Sequence, residues 1–179
     1  MTTTTELSEL TGDYVLDSTH TRIGFVAGAA MVTKVRGQFD EFEGSAHLDG
    51  DDPSQSSAEL TIQTKSIQTR NQRRDDHLRS KVFLDVDNRP TISFISIGVE
   101  QVDETNFKVT GDLTIRGVTK QVTVDFELTG AENDPQGRFR VGFHGKATIN
   151  RKDWGVSWGR GLVSEKVTLE FDVAAIRQP

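Results

Sequence analysis

The side chains best equipped for chemistry in this chain are four histidines, a run of arginines beside two aspartates, and two tryptophans in a glycine-rich loop. None falls into a catalytic or metal-binding pattern. His20, His47, His77 and His144 lack the close spacing and companion carboxylates of zinc enzymes. The Gly155 to Gly161 loop lacks the Gly-Lys-Ser/Thr ending of a phosphate cradle and leads into a strand, not a helix. No nucleophile elbow or cofactor fingerprint occurs, and the absence of cysteine excludes thiolate chemistry, disulfides and metal–thiolate sites. Recognition suits these residues better. Arg70, Arg73, Arg74, Arg79 and Lys81 surround Asp75 and Asp76, and a guanidinium fork matches a phosphate or pyrophosphate. The same cluster also reads as a solvated helix face with internal ion pairs. Arg151, Lys152 and Arg160 form a second candidate rim around Trp154 and Trp158. Those indoles would either close an apolar mouth or pack a barrel end.

The elements that must position these groups are strands. From Phe107 to Ile115, odd positions are apolar or glycine (Phe107, Val109, Gly111, Leu113, Ile115) and even positions are polar. Val122, Val124, Phe126 and Leu128 alternate in the same way, as do Phe139 to Ile149 and Val167 to Val173. A period of two gives each strand one dry and one wet face. His144 falls on a wet face. One-sided strands joined by tight turns form an antiparallel sheet that closes around its apolar face. The expected fold is therefore all-β, a closed antiparallel eight- or nine-stranded barrel with one short helix after the fourth strand. Thr69 to Gln72 has capping-box spacing and places that helix from Thr69 to Ser80. Leu78 is its one large apolar residue, so it should lie on the barrel, anchored by Leu78, Val82, Phe83 and Leu84. The strand from Thr91 to Val102 is apolar on both faces, implying either a bulge near Phe94 and Ile95 or cover by the helix; cover is the favoured expectation.

Composition bounds the function. The chain has 179 residues and a formal charge of -6, which argues against a nucleic-acid partner. Residues 1–10 are expected to be a disordered tail and 11–179 one barrel domain. The start lacks a basic n-region and an apolar h-region, and no run approaches a membrane span, so a cytoplasmic protein without an integral membrane segment is expected.

Several motifs resemble the YceI-like family. They include Tyr14-Val15-Leu16-Asp17 with His20, Val32 to Phe39, Ser66 to Thr69, Arg74 to Ser80 and Phe83-Leu84-Asp85. Pro90 to Phe94, Gly111 to Lys120 and Asn150-Arg151-Lys152-Asp153-Trp154-Gly155 complete a set spanning nearly the whole chain. The resemblance implies a lipocalin-like barrel with a long apolar tunnel, a carrier of polyisoprenoid or other long-chain amphiphiles, often homodimeric. Two departures bear on the head group. Gly28 and Ala29 stand where relatives usually have a basic pair, and Trp154-Gly155 replaces a Phe-Gly ending.

An eight-stranded barrel either fills with its own side chains or holds a slender ligand. Small inward residues (Gly111, Gly145, Ala147) leave room for a tunnel, unless they merely face bulky neighbours. The expected lining is Phe25, Phe94, Gly111, Leu113, Val124, Phe126, Val141, Phe143 and Gly145. The expected mouth, facing a polar head group, is His20, Arg74, His77, Arg151, Trp154 and Trp158. No catalytic residue, metal or cofactor is expected beyond a bound polyprenyl or fatty lipid. A hydrolase or isomerase acting on a prenyl lipid, and a solid-core stress or interaction protein, are the alternatives.

Overall fold

The computed structural model describes residues 6–29, 33–156 and 163–179. Eleven strands run in chain order. They are β1 (Gly12–Leu16), β2 (Arg22–Ala29), β3 (Thr33–Phe39), β4 (Phe42–Leu48), β5 (Ser57–Gln63) and β6 (Ile67–Gln68). After the helix α1 (Gln72–Arg79) come β7 (Thr91–Gln101), β8 (Asn106–Ile115), β9 (Val118–Asn133), β10 (Phe139–Asn150) and β11 (Val163–Arg177). The sheet is antiparallel, and eight strands form a ring in the order β1-β4-β5-β7-β8-β9-β10-β11, closed by β1 on β11. The expected closed barrel is therefore what forms. The early extended run is divided by the Asp40-Glu41 turn into β3 and β4, and the two-residue β6 follows, so α1 comes after six strands.

The seam on β11 decides the shape of the interior. Tyr14 to Leu16 of β1 pair with Ala175 to Arg177, whereas β2 pairs further along the same edge, ending at Arg22 opposite Asp172. β1 and β2 thus lie end to end along one strand. At the junction the Thr21 hydroxyl donates to the Ala174 carbonyl (3.1 Å) and accepts from the Ala174 N–H (3.0 Å), while that carbonyl also accepts the Asp17 N–H (2.9 Å). β3 and β6 extend from β2 as a flap. The barrel therefore has one end walled by β1 and β4 and another walled by β2, β3 and β6.

Two register shifts alter the face presented. Between Ser96 and Gly98 of β7, Ile97 is an extra residue against β8. Ile92 and Phe94 face inward before it and Val99 after it, as pocket-lining positions. This bulge, not the helix, accounts for the two-faced pattern: Ile95 and Ile97 are exposed (53% and 56%). The favoured cover by α1 is wrong. The bulge sits two residues beyond Phe94-Ile95. A second shift at Gly142/Phe143 inserts Thr129 into β9, so Leu128 and then Ala131 face the core.

Two local expectations also need correction. Asn71 is the N-cap of α1, its side chain accepting from the Arg74 N–H (3.0 Å), while Thr69 serves another purpose described below. Leu78, Phe83 and Leu84 do pack on the core, but Val82 is 48% exposed. Residues Leu7–Leu10 form a 3-10 turn with Leu10 buried. The buried Tyr14 hydroxyl donates to the Leu10 carbonyl at 2.8 Å. Thr11 Oγ1 accepts from the Gly50 N–H (3.0 Å). At the other end the β8–β9 turn has positive φ at Arg116 and Gly117, the geometry of a two-residue type I′ hairpin. Arg116 then reaches the carbonyls of Gly155 (3.0 Å) and Lys81 (2.9 Å), pinning two loops to the barrel wall. No helix among the described residues is long and apolar enough to cross a membrane.

Candidate functional site: a two-chambered apolar bore

Two cavities occupy the barrel. The larger, about 350 Å³, lies under α1 and the β2–β3–β6 flap. The smaller, about 180 Å³, lies in the β1–β4 end and is bounded at its outer end by Leu7, Leu10, Leu48 and the Asp49–Ser57 turn. Ile23, Leu60, Phe94, Val124 and Phe171 line both, so the chambers abut at a constriction, or throat, bounded by these five residues. Ligand sites commonly fall between about 300 and 1,000 Å³ with mostly apolar walls.

The proposed lining divides between the chambers. Phe25 and Leu113 border the larger; Phe126, Val141 and Phe143 border the smaller; Phe94 and Val124 belong to both. Gly111 and Gly145 do not line open space. A Cβ on Gly111 would lie 2.5 Å from Phe94 Cζ, and one on Gly145 would overlap the Phe126 ring. Gly37 stands in the same relation to Phe25. Each glycine is thus covered by a phenylalanine from a neighbouring strand, a flat cross-strand packing that protects the glycine backbone. The expectation that these glycines themselves form the hollow is corrected. Their effect is indirect: a ring that lies along the wall takes less of the bore than one standing upright.

Of the proposed mouth residues, Arg74, His77 and Arg151 converge on the larger chamber, although they come from α1 and from the end of β10. One arginine from each candidate rim, Arg74 and Arg151, thus borders the same cavity. Arg74 donates from Nε to Thr69 Oγ1 (2.8 Å) and from Nη2 to the Thr69 carbonyl (2.8 Å). The same Thr69 hydroxyl donates to the buried Asp75 carboxylate (2.5 Å), which also accepts the Thr69 N–H (2.9 Å). Asp75 thus fixes Thr69, and Thr69 fixes the guanidinium, while Arg74 Nη1 makes no hydrogen bond among the described residues. Arg151 is 5% exposed and donates to the carbonyls of Ser164 (3.0 Å) and Val156 (2.6 Å). Burial pulls its pKa below the usual arginine value, with Glu165 opposing the fall. Phe83 stands between the two polar groups, 6.4 Å from the His77 ring and 5.7 Å from the Arg151 guanidinium carbon.

The remaining residues sit elsewhere. His20 lies outside both cavity linings, its Nδ1 2.6 Å from Asp17 in an exposed pair. Asp17 is held at a pKa of about 2, first by the Arg140 hydrogen bond and further by His20. Trp154 is no gate: it is 3% exposed within the core, its indole N–H donating to the Leu113 carbonyl (2.9 Å). Trp158 and Arg160 fall outside the described residues. Arg70, Arg73 and Lys81 face solvent. Arg79 ties α1 to the carbonyls of Lys65 and Ile67 (2.8 Å each) and pairs with Asp76 at 3.3 Å. Most of the basic cluster is thus the solvated, tethered face that its composition also allowed. The throat residues Ile23, Leu60 and Phe171 were not singled out from sequence. Phe171 was visible as an inward position of the last alternating run, but nothing in one chain says which inward positions meet at mid-height.

A family model described as YceI-like domain matches residues 14–175. A UPF0312 protein of Pseudomonas paraeruginosa is 39% identical over 94% of this chain and 89% of its own length. The crystal structure of Burkholderia cenocepacia BcnA superposes with a TM-score of 0.81 at 23% identity, covering 89% of this chain and 98% of that one. A structure described as a polyisoprenoid binding domain from Saccharophagus degradans has a TM-score of 0.73 at 16% identity, covering 92% and 98%. With the model match spanning almost the whole barrel and the curated relative above a third identical, this chain belongs to the YceI-like family.

Proposed function

We propose that this protein binds and sequesters a long-chain amphiphile, a polyisoprenoid or fatty-acid-like lipid, within the barrel. The observation that carries this reading is the pair of apolar chambers abutting at a common throat, with the basic side chains Arg74, His77 and Arg151 on the larger. The tail occupies the bore and the polar head lies at the α1 end beside Arg74 and His77. At about 0.8 kcal/mol per buried methylene, a tail of several units outweighs the ordering cost of a flexible chain. A preformed cavity keeps that cost low. The polyisoprenoid binding described for the Saccharophagus degradans domain supports the same chemistry through a shared fold.

The role is carriage rather than turnover. Asp75 is committed to Thr69, and Asp17 to Arg140 and His20, so neither carboxylate serves as a base toward the cavity. The test is native mass spectrometry of gently purified protein, followed by titration of delipidated protein with geranylgeraniol and stearic acid. Retained lipid mass, or uptake of either probe, is expected. Protein that carries nothing and takes up neither probe would overturn the proposal.

A further inference from the structure

We propose that Phe94 and Gly111 together set the tail length this barrel accepts, by holding open the throat between the two chambers; the inference rests on the lipid-binding reading above. Of the five throat residues, Ile23 and Val124 are buried, β-branched and stiff at χ1. Phe171 is held by a tilted stack on Phe126, with ring centroids 6.1 Å apart. Phe94 differs, because its position depends on vacant space at one point of the wall.

That vacancy is Gly111. Phe94 pairs directly with Leu113, and Ser96 pairs with Gly111, so the Phe94 ring leans diagonally across the sheet to cover the glycine. A Cβ at position 111 would meet Phe94 Cζ at 2.5 Å and Cε2 at 2.8 Å, and the Ile95 carbonyl at 2.7 Å. The ring would then have to leave the wall, and the space open to it is the throat. With glycine, a tail entering from the α1 end passes from the larger chamber into the smaller. With any side chain there, it stops at the throat. Length selection thus lies in one ring–glycine pair at mid-bore, remote from the head-group residues.

The experiment is calorimetric titration of delipidated protein with octanoic, lauric, palmitic and stearic acids. In the wild type, affinity should climb by about fourfold per added methylene through the whole series. Gly111→Ala should follow that climb for the short acids and flatten for the long ones. Gly111→Ala combined with Phe94→Leu should restore the climb, since the slimmer side chain clears the throat. Because the new Cβ also meets the Ile95 carbonyl, folding is checked by circular dichroism. Phe94→Trp supplies an obstruction that leaves Gly111 untouched, and should flatten the curve as well. A folded Gly111→Ala or Phe94→Trp variant that keeps the wild-type slope would overturn the inference, as would a wild-type curve that already flattens where the variants do. Failure of the wild type to bind any acid would instead remove the lipid-binding reading, and this inference with it.

Discussion

The two ends of the barrel are built on opposite plans. At the β1 end, Leu7, Leu10, Leu48 and the Asp49–Ser57 turn border the smaller chamber, and the buried tyrosine hydroxyl is spent on the Leu10 carbonyl. At the α1 end, the larger chamber has Arg74, His77 and Arg151 on its wall. A buried cation is costly unless its donors are satisfied. Arg151 meets that demand through backbone carbonyls, and Arg74 through Thr69. The difference teaches that, among the described residues, a collar of basic side chains borders the α1 chamber alone.

Substitutions break or sharpen this comparison in order of size. Arg151→Ala should be the most damaging, since it leaves the Ser164 and Val156 carbonyls without this donor and removes the stack on Phe83. A loss of about 3 kcal/mol is expected, read as a fall in denaturation midpoint. Arg74→Ala should leave stability nearly intact and weaken binding of stearic acid by about tenfold, while geranylgeraniol, with an uncharged head, loses far less. Equal losses for both probes would show that the collar does not read charge. Tyr14→Phe, at the β1 end, should cost about 1 kcal/mol and leave the preference between those probes unchanged. Trp154→Phe should cost a similar amount, about 1 kcal/mol, without altering uptake, because the indole packs and bonds inside the core.

A separate effect is on acid stability. The folded-state pKa of Asp17 lies at about 2, below the value of roughly 3.9 for a free aspartate. Its contribution is therefore fully present above pH of about 4 and is lost as pH falls through about 2. Arg140→Gln should lower stability at neutral pH and flatten the loss between those limits. Denaturant midpoints across that range provide the check.

The strands of the second half were legible because each is one-sided, and the inward set Phe107, Val109, Leu113, Val124, Phe126 and Phe143 does border the bore. Bulges were harder. An extra residue reverses the parity of everything after it, and its only trace was Ile95 and Ile97 breaking the alternation of β7. The helix began later than the Thr69 capping signal because Asn71 supplied a competing cap, leaving Thr69 for Asp75 and Arg74. That Arg74 and Arg151 meet at one chamber depends on strand order. No local pattern carries it. The glycines illustrate a further gap: an inward Gly shows that something approaches, without saying whether it is a guest or a phenylalanine.

Where β1 hands over to β2 along β11, a threonine hydroxyl takes the Ala174 N–H, and β1 pairs through Tyr14, Val15 and Leu16, flanked by backbone bonds from Gln178 to Asp13 (2.7 Å) and from Asp17 to Ala174 (2.9 Å). Amides near Ala174 should therefore exchange with solvent deuterium sooner than those in the middle of β10, which is paired on both sides. The join between the two short strands is thus the stretch of wall where local opening is expected first.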